Sequence, residues 1–171
     1  MGLRGPGARP VQTENSSELL LFSNDAGADR LKPVLKVAIH GRSRADRVIS
    51  FIECLPVTSG IVAGTKFKLG AWQKKIIKDI YRTGRNGRRV VRQALISIPR
   101  KNGKTSLTAA LALCHLCGPE AEQRGEIYSA ATVTDQAAII FREMKAMIQG
   151  TELRDRVIVR DFSKSLEDSK T

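Results

Sequence analysis

The segment ALISIPRKNGKTSLTAALALC, Ala94–Cys114, is the part of the chain whose local structure is easiest to predict. It opens with a short apolar run containing β-branched residues and passes through Pro99–Lys104, where three of the six residues are basic. It ends in a run rich in alanine and leucine. β-branched residues favour strands, whereas Ala and Leu favour helices. The segment therefore predicts a strand, a short basic loop and a helix, in that order.

The basic loop has the features of a phosphate-binding loop. The first N–H groups of a helix lack backbone partners and the helix dipole adds partial positive charge, so anions bind there. Gly103 allows close approach of a phosphate, Lys104 can reach the β and γ phosphates, and the Thr105 hydroxyl can bind Mg²⁺. The motif G-x-x-x-x-G-K-[ST] is only partly met, because Ile98 stands at the first glycine position. A basic turn that merely contains GKT is the alternative.

Strand-like and helix-like segments alternate along the chain. The predicted helices are Arg44–Leu55, Ala71–Thr83, Gly103–Cys117 and Thr132–Gly150, and the predicted strands are Arg89–Ile98, Gly125–Ala131 and Arg156–Phe162. This order is typical of an α/β fold with a parallel sheet flanked by helices, as in P-loop NTPases. Residues 1–45, rich in Gly, Pro, Arg, Asp and Ser, are expected to form a loosely ordered arm, and residues 46–171 the ordered domain.

The positive charge is concentrated in one segment. The chain has a net charge of +12. Lys66–Lys104 holds thirteen Lys or Arg and one acid, Asp79, whereas the remaining residues carry 16 basic and 16 acidic groups. A solvated basic face is one interpretation. A surface that binds polyphosphate or nucleic acid is favoured, because the segment contains the predicted loop.

Composition and cysteine spacing exclude several other classes of protein. No apolar run reaches about 18 residues, so no membrane span is predicted, and MGLRGPGARP lacks a signal-peptide core. Cys114 and Cys117 have C-x-x-C spacing, but the chain offers no second pair for zinc. We therefore predict that both cysteines are buried and that the protein is cytoplasmic.

Three linked segments resemble the ATPase domain of the large terminase subunit of tailed phages. They are FKLGAWQKKIIKDIYRT, ISIPRKNGKTSLTAALAL and IYSAATVTDQAAIIF, in this order. In that family a loop of the type P-R-K-N-G-K-[ST] replaces the glycine-first form, so Ile98 agrees with the resemblance. The similar region extends from about Ile61 to Ile148.

The resemblance implies an ATP-driven motor that packages double-stranded DNA into an empty capsid. It implies ATP and Mg²⁺ as cofactors, and the portal protein and the small terminase subunit as partners. It also implies a homo-oligomeric ring, in the host cytoplasm and without a membrane.

The resemblance also implies roles for individual residues. Trp72 and Gln73 match the adenine-side motif, and Ser129–Gln136 matches a segment that helps couple ATP to DNA movement. Lys104 and Arg100 are the implied catalytic residues, and Thr105 the implied metal ligand. The implied nucleotide-binding loop residues are Pro99, Arg100, Lys101, Asn102, Gly103, Lys104, Thr105 and Ser106.

The acidic pair that such an ATPase carries after a later apolar strand is not evident in this sequence. Asp161 is the only candidate, but Arg160 interrupts the apolar run before it and Phe162 follows it. We therefore expect the N-terminal portion of an ATPase domain, without the acidic motif or nuclease domain, that binds ATP weakly and hydrolyses it poorly. The alternatives are another P-loop NTPase, such as a helicase, or a non-catalytic remnant that binds nucleic acid.

Overall fold

The structure, a computed structural model, describes residues 43–170. The described residues all belong to one compact unit. The described helices and strands are α1 (Arg44–Cys54), α2 (Ala71–Ile80), α3 (Lys104–Leu116), α4 (Thr134–Gln149), a 3₁₀ turn (Glu152–Asp155), β1 (Val157–Arg160) and β2 (Ser165–Asp168). All four predicted helices are confirmed. The predicted arm lies outside the described residues, except for its last three, of which Arg44 and Ala45 begin α1.

The core forms where α3 packs against α1 and α4. On α1 the side chains Val48 and Ile52 are fully buried at the spacing that places them on one helix face, and Leu55, directly after the helix, is fully buried too. Leu113 of α3 and Met147 of α4 are also fully buried. Helix α3 therefore has apolar neighbours on two sides, which fixes the direction in which its N-terminus points.

The end of α3 shows how closely α1 and α3 approach. A Cβ atom on Gly118 would lie 2.8 Å from the Cys114 carbonyl oxygen and 3.0 Å from the Phe51 ring. Only glycine leaves enough room there. Cys114 and Cys117 are buried beside it, which confirms that prediction, and burial raises the pKa of both thiols, that of Cys117 to about 12.

The predicted parallel sheet is not formed by residues 43–170. The ladder present there joins β1 to β2 in antiparallel register, with Val157 opposite Asp168. Arg89–Ile98 and Gly125–Ala131, both predicted as strands, are not in a ladder, and Leu95 and Tyr128 are 98% and 82% exposed. Strand propensity reflects packing and pairing with neighbours, so apolar β-branched residues alone do not form a strand without a partner.

The third predicted strand pairs locally instead of joining a larger sheet. Its residues from Val157 to Arg160 form β1, and the chain turns directly back into β2. The Arg156 guanidinium donates two hydrogen bonds to the buried Asp168 carboxylate, which joins the ends of the hairpin. Sequence analysis predicted the strand but not its antiparallel partner.

His115 of α3 has a partner that sequence analysis did not identify. Its imidazole lies 2.8 Å from the Tyr81 hydroxyl, and the two rings are stacked. Burial, with the nearby Arg89 charge, lowers the pKa of His115, and burial raises the pKa of Tyr81. This neutral contact joins the end of α2 to the last turn of α3.

None of the helices in the described range is both long and apolar enough to cross a membrane.

A buried ion pair should contribute measurably to the stability of this unit. Arg44 donates from Nε to both carboxylate oxygens of Glu120, at 2.8 and 2.6 Å, and the Glu120 side chain is only 1% exposed. Removing one partner leaves the other charge without compensation. We expect Glu120→Ala to lower the free energy of unfolding by about 2 kcal/mol in urea titrations. The matched control Asp79→Ala breaks an exposed pair with Lys75 and should cost less than about 0.5 kcal/mol. Equal losses would contradict the ranking.

Gly103 should resist substitution because of its backbone conformation. It precedes α3 with φ 68° and ψ 22°, the left-handed region, and a Cβ there would meet no atom within 4 Å. Conformational strain alone should therefore make Gly103→Ala destabilising by about 1 kcal/mol. Lys101, at φ 66°, already adopts this conformation without being glycine, so Lys101→Gly should not destabilise comparably. Thermal unfolding of the two variants checks the contrast, and a neutral Gly103→Ala would refute it.

Candidate functional site

The candidate site lies where the basic loop enters α3. Gly103 turns the chain, and the first helical hydrogen bond runs from the Leu107 N–H to the Gly103 carbonyl at 3.0 Å. By helix geometry the N–H groups of Lys104, Thr105 and Ser106 have no intrahelical acceptor. The expected strand before the loop is not in a ladder and makes only an isolated bridge, from Arg89 to Thr83, whereas the expected loop and helix are both present. The loop thus presents N–H groups and a partial positive charge to solvent.

The loop is shaped by two side chains that bind its own carbonyls. The Lys104 ammonium donates to the Ile98 carbonyl and, at 3.4 Å, to that of Pro99. The Asn102 amide lies at 3.4 and 3.5 Å from the carbonyls of Pro99 and Arg100. These contacts tie Asn102 and Lys104 back to the carbonyls at the start of the loop.

The remaining loop side chains are directed to solvent. Arg100, Lys101 and Thr105 are all exposed. Thr105, the predicted metal ligand, follows Lys104 directly, as the chemistry of the loop requires. The described residues contain no group of three or more His, Cys, Asp or Glu side chains that could hold a metal ion.

Ser106 differs from its neighbours because its hydroxyl is bound within the protein. Ser106 Oγ donates to Glu143 Oε1 at 2.7 Å, and Thr58 Oγ1 donates to the same oxygen at 2.6 Å. Sequence analysis missed both Glu143 and Thr58. They lie 37 and 48 residues from Ser106 in sequence, and neither belongs to a motif, so no pattern in the chain indicated the contact.

Trp72 and Gln73, the predicted adenine-side residues, occupy the first turn of α2. Gln73 is 8% exposed, and its Oε1 accepts a hydrogen bond from the Gly70 N–H at 2.8 Å, which caps the helix. An amide oxygen has two lone pairs, so this contact leaves one acceptor site and the NH₂ group. Trp72 is 43% exposed, so its indole is not fully buried in the core.

A cavity of about 330 Å³ connects α2 to the segment that leads into the loop. Its lining includes Ile76 and Ile80 of α2 and Ala94–Ile98. The lining is largely apolar, with Asp79 as its one acidic side chain. The structure therefore brings α2 and the segment before the loop together, as sequence order alone could not show.

Asp161, the candidate metal-side acid, does not lie at the end of a strand in a parallel β-sheet. It follows β1 in the turn of the antiparallel hairpin and is 62% exposed. Lys145 of α4 donates to both its oxygens at 2.7 Å, and these hydrogen bonds lower the pKa of Asp161. The ion pair with Lys145 therefore accounts for the position of the Asp161 carboxylate without a metal ion.

The basic segment Lys66–Lys104 is exposed along almost its whole length. Twelve of its thirteen cations are exposed. The remaining one, Lys74, is half-buried and pairs with Glu53 at 2.7 Å. Lys75 pairs with Asp79 at 3.2 Å. Most of the charge thus faces solvent without an internal counter-charge, which is typical of a surface that attracts polyanions.

Comparison with known proteins agrees with this arrangement. The family profile described as "Terminase large subunit, ATPase domain" matches residues 71–169. The large terminase subunit of Enterobacteria phage HK97 is 38% identical over 127 residues, which is 72% of this chain and 24% of that protein. The crystal structure of the HK97 large terminase matches with a TM-score of 0.64 and 35% identity, covering 74% of this chain and 25% of that one.

This chain thus spans about a quarter of the length of the relatives it matches. The helicase and remnant alternatives are not favoured, because sequence and structure both match a large terminase. The α/β class is confirmed, although the parallel sheet is not. The profile includes both the α2 segment and the basic loop before α3. The chain belongs to the family of terminase large subunit ATPase domains.

Proposed function

We propose that this chain binds ATP with Mg²⁺ at the loop Pro99–Ser106, as the nucleotide-binding part of a DNA-packaging ATPase. The observation that carries the proposal is the left-handed Gly103, which places the basic loop directly before the free N–H groups of α3. A polyphosphate fits this arrangement, because its oxygens are negatively charged hydrogen-bond acceptors and the loop supplies N–H donors and positive charge.

Each loop residue has a distinct part in the proposal. The N–H groups of Lys104, Thr105 and Ser106 bind phosphate oxygens, and Lys104 turns from the Ile98 and Pro99 carbonyls to a phosphate. Arg100 is exposed and can neutralise charge that develops during phosphoryl transfer. Pro99, Lys101 and Asn102 shape the loop. A Mg²⁺ ion held partly by Thr105 would neutralise phosphate charge.

Trp72 and Gln73 are proposed to contact the adenine. The exposed indole face can stack on a base, and the remaining acceptor and NH₂ donors of Gln73 can pair with its edge. Ser129–Gln136 is exposed before and at the start of α4, and we propose it as the segment that couples nucleotide binding to DNA movement.

We also propose that Arg89–Ile98 and Gly125–Ala131 are strands of a parallel sheet whose other strands lie outside residues 43–170. The β-branched residues of Arg89–Ile98 and the exposure of Leu95 and Tyr128 support this. The length of the HK97 relative, about four times the part matched here, leaves room for them. In such a protein the whole motor acts on double-stranded DNA with a portal protein and a small subunit, as a ring in the host cytoplasm.

Lys104→Ala should weaken nucleotide binding strongly. Its ammonium lies against the Ile98 and Pro99 carbonyls of the loop and the residue begins α3, so we expect at least about tenfold lower affinity for a fluorescent ATP analogue in titration with Mg²⁺. Lys74→Ala is the matched control, since that lysine of α2 pairs with Glu53 of α1 and should change affinity less than about twofold. Similar losses in both variants would argue against the loop as the binding site.

DNA binding should depend steeply on salt. Phosphate contacts release counterions, so the logarithm of affinity for a DNA duplex should fall linearly with the logarithm of salt concentration. Arg85 and Arg88 are exposed in the basic segment, and replacing both with Ala should reduce that slope by about 2. Lys170→Ala, exposed but outside the segment, serves as control. Salt-independent binding, or equal effects of the control, would contradict this surface.

A further inference from the structure

Glu143 connects three parts of the described chain through a single oxygen. Its Oε1 accepts from Ser106 in the first turn of α3 and from Thr58 in the segment after α1, while Glu143 itself lies in α4. All three side chains are part-buried, and both bonds, at 2.7 and 2.6 Å, are in the range of strong O–H···O⁻ bonds. The carboxylate thus joins the helix that begins at the loop to two separate segments.

The hydrogen on the Ser106 hydroxyl decides what this residue can do for a nucleotide. A serine hydroxyl carries one hydrogen, and here it is donated to Glu143. A phosphate oxygen accepts hydrogen bonds and cannot provide one, so Ser106 Oγ has nothing to offer it in this arrangement. The Ser106 backbone N–H remains available, because a residue in the first helical turn has no intrahelical acceptor.

The negative charge of Glu143 is favourable beside the start of α3. The start of a helix carries a partial positive charge, and a carboxylate near it is stabilising. The salt bridges of residues 43–170 include no cation paired with Glu143, so two hydroxyl donors and the α3 terminus provide its compensation. A carboxylate held in this way resists displacement of the first turn of α3.

We propose that Glu143 is a positioning residue, which fixes the start of α3 through the Ser106 hydroxyl so that the N–H groups before Leu107 point at the phosphates. Thr58 supports it by orienting the carboxylate. The inference rests on the proposed nucleotide site, but the contact itself does not. It also gives Ser106 two separate roles: its N–H serves the phosphates and its hydroxyl serves Glu143.

A double-mutant cycle on nucleotide affinity tests the proposal. With the full chain and a fluorescent ATP analogue, Ser106→Ala and Glu143→Ala should each weaken binding by about tenfold, and the double variant should be no weaker than either single. Glu143→Gln keeps an acceptor oxygen and should restore affinity to within about threefold of the unchanged protein. Glu122→Gln alters an exposed carboxylate elsewhere and should have no effect.

Two results of the cycle would overturn the proposal. If the losses multiply in the double variant, the Ser106 hydroxyl contacts the phosphate directly and Glu143 acts independently. If Glu143→Ala lowers the melting temperature but leaves affinity unchanged where all variants are folded, the contact is only structural.

Hydrogen exchange gives a readout that needs no nucleotide. The Leu107 amide, which makes the first helical hydrogen bond to Gly103, should exchange several-fold faster in Ser106→Ala and in Glu143→Ala, to the same extent. Thr58→Val should give a smaller increase. Absence of analogue binding by the unchanged protein would refute the proposed function but not this contact. Unchanged exchange at Leu107 in both variants would refute the positioning role.

Discussion

The apolar packing of α3 between α1 and α4 is the constraint on which the rest of the described structure depends. Buried side chains such as Leu113 on α3, Ile52 on α1 and Met147 on α4 hold these helices together. A helix held on two sides by close-packed side chains can shift little without opening a cavity. Because the basic loop is continuous with the start of α3, the core determines where the loop's donors point.

Polar contacts around that core orient the same helix at both ends. At its start, the Ser106 hydroxyl donates to Glu143, and near its end His115 meets Tyr81. Just beyond the end of α3, the Glu120 carboxylate accepts hydrogen bonds from Arg44 at the start of α1. Each contact joins segments far apart in sequence, so each reports on tertiary structure. The helix is thereby fixed in rotation as well as in direction, and rotation decides which way its free N–H groups face.

The basic segment has little part in this packing, and that agrees with a role in binding. Nearly all its cations are exposed, and the two pairs they make, with Glu53 and Asp79, lie on the surface. Such pairs contribute little to stability, so the excess charge is not explained by the fold. The excess positive charge instead destabilises the folded state through repulsion among the cations, and a polyanionic ligand relieves that repulsion.

Sequence by itself determined the four helices, the basic loop with Gly103 directly before α3, the burial of Cys114 and Cys117, and the family. These follow from local propensity, from periodicity and from a motif of adjacent residues, all of which are properties of short segments. Sequence reasoning also predicted strands at Arg89–Ile98 and Gly125–Ala131. It could not supply their partners, because a strand depends on hydrogen bonds to residues elsewhere. Only tertiary structure decided that β1 pairs with β2, that Asp161 is held by Lys145, and that Glu143 meets Ser106. Those contacts depend on how separate helices and turns pack together, and no spacing along the chain encodes that directly.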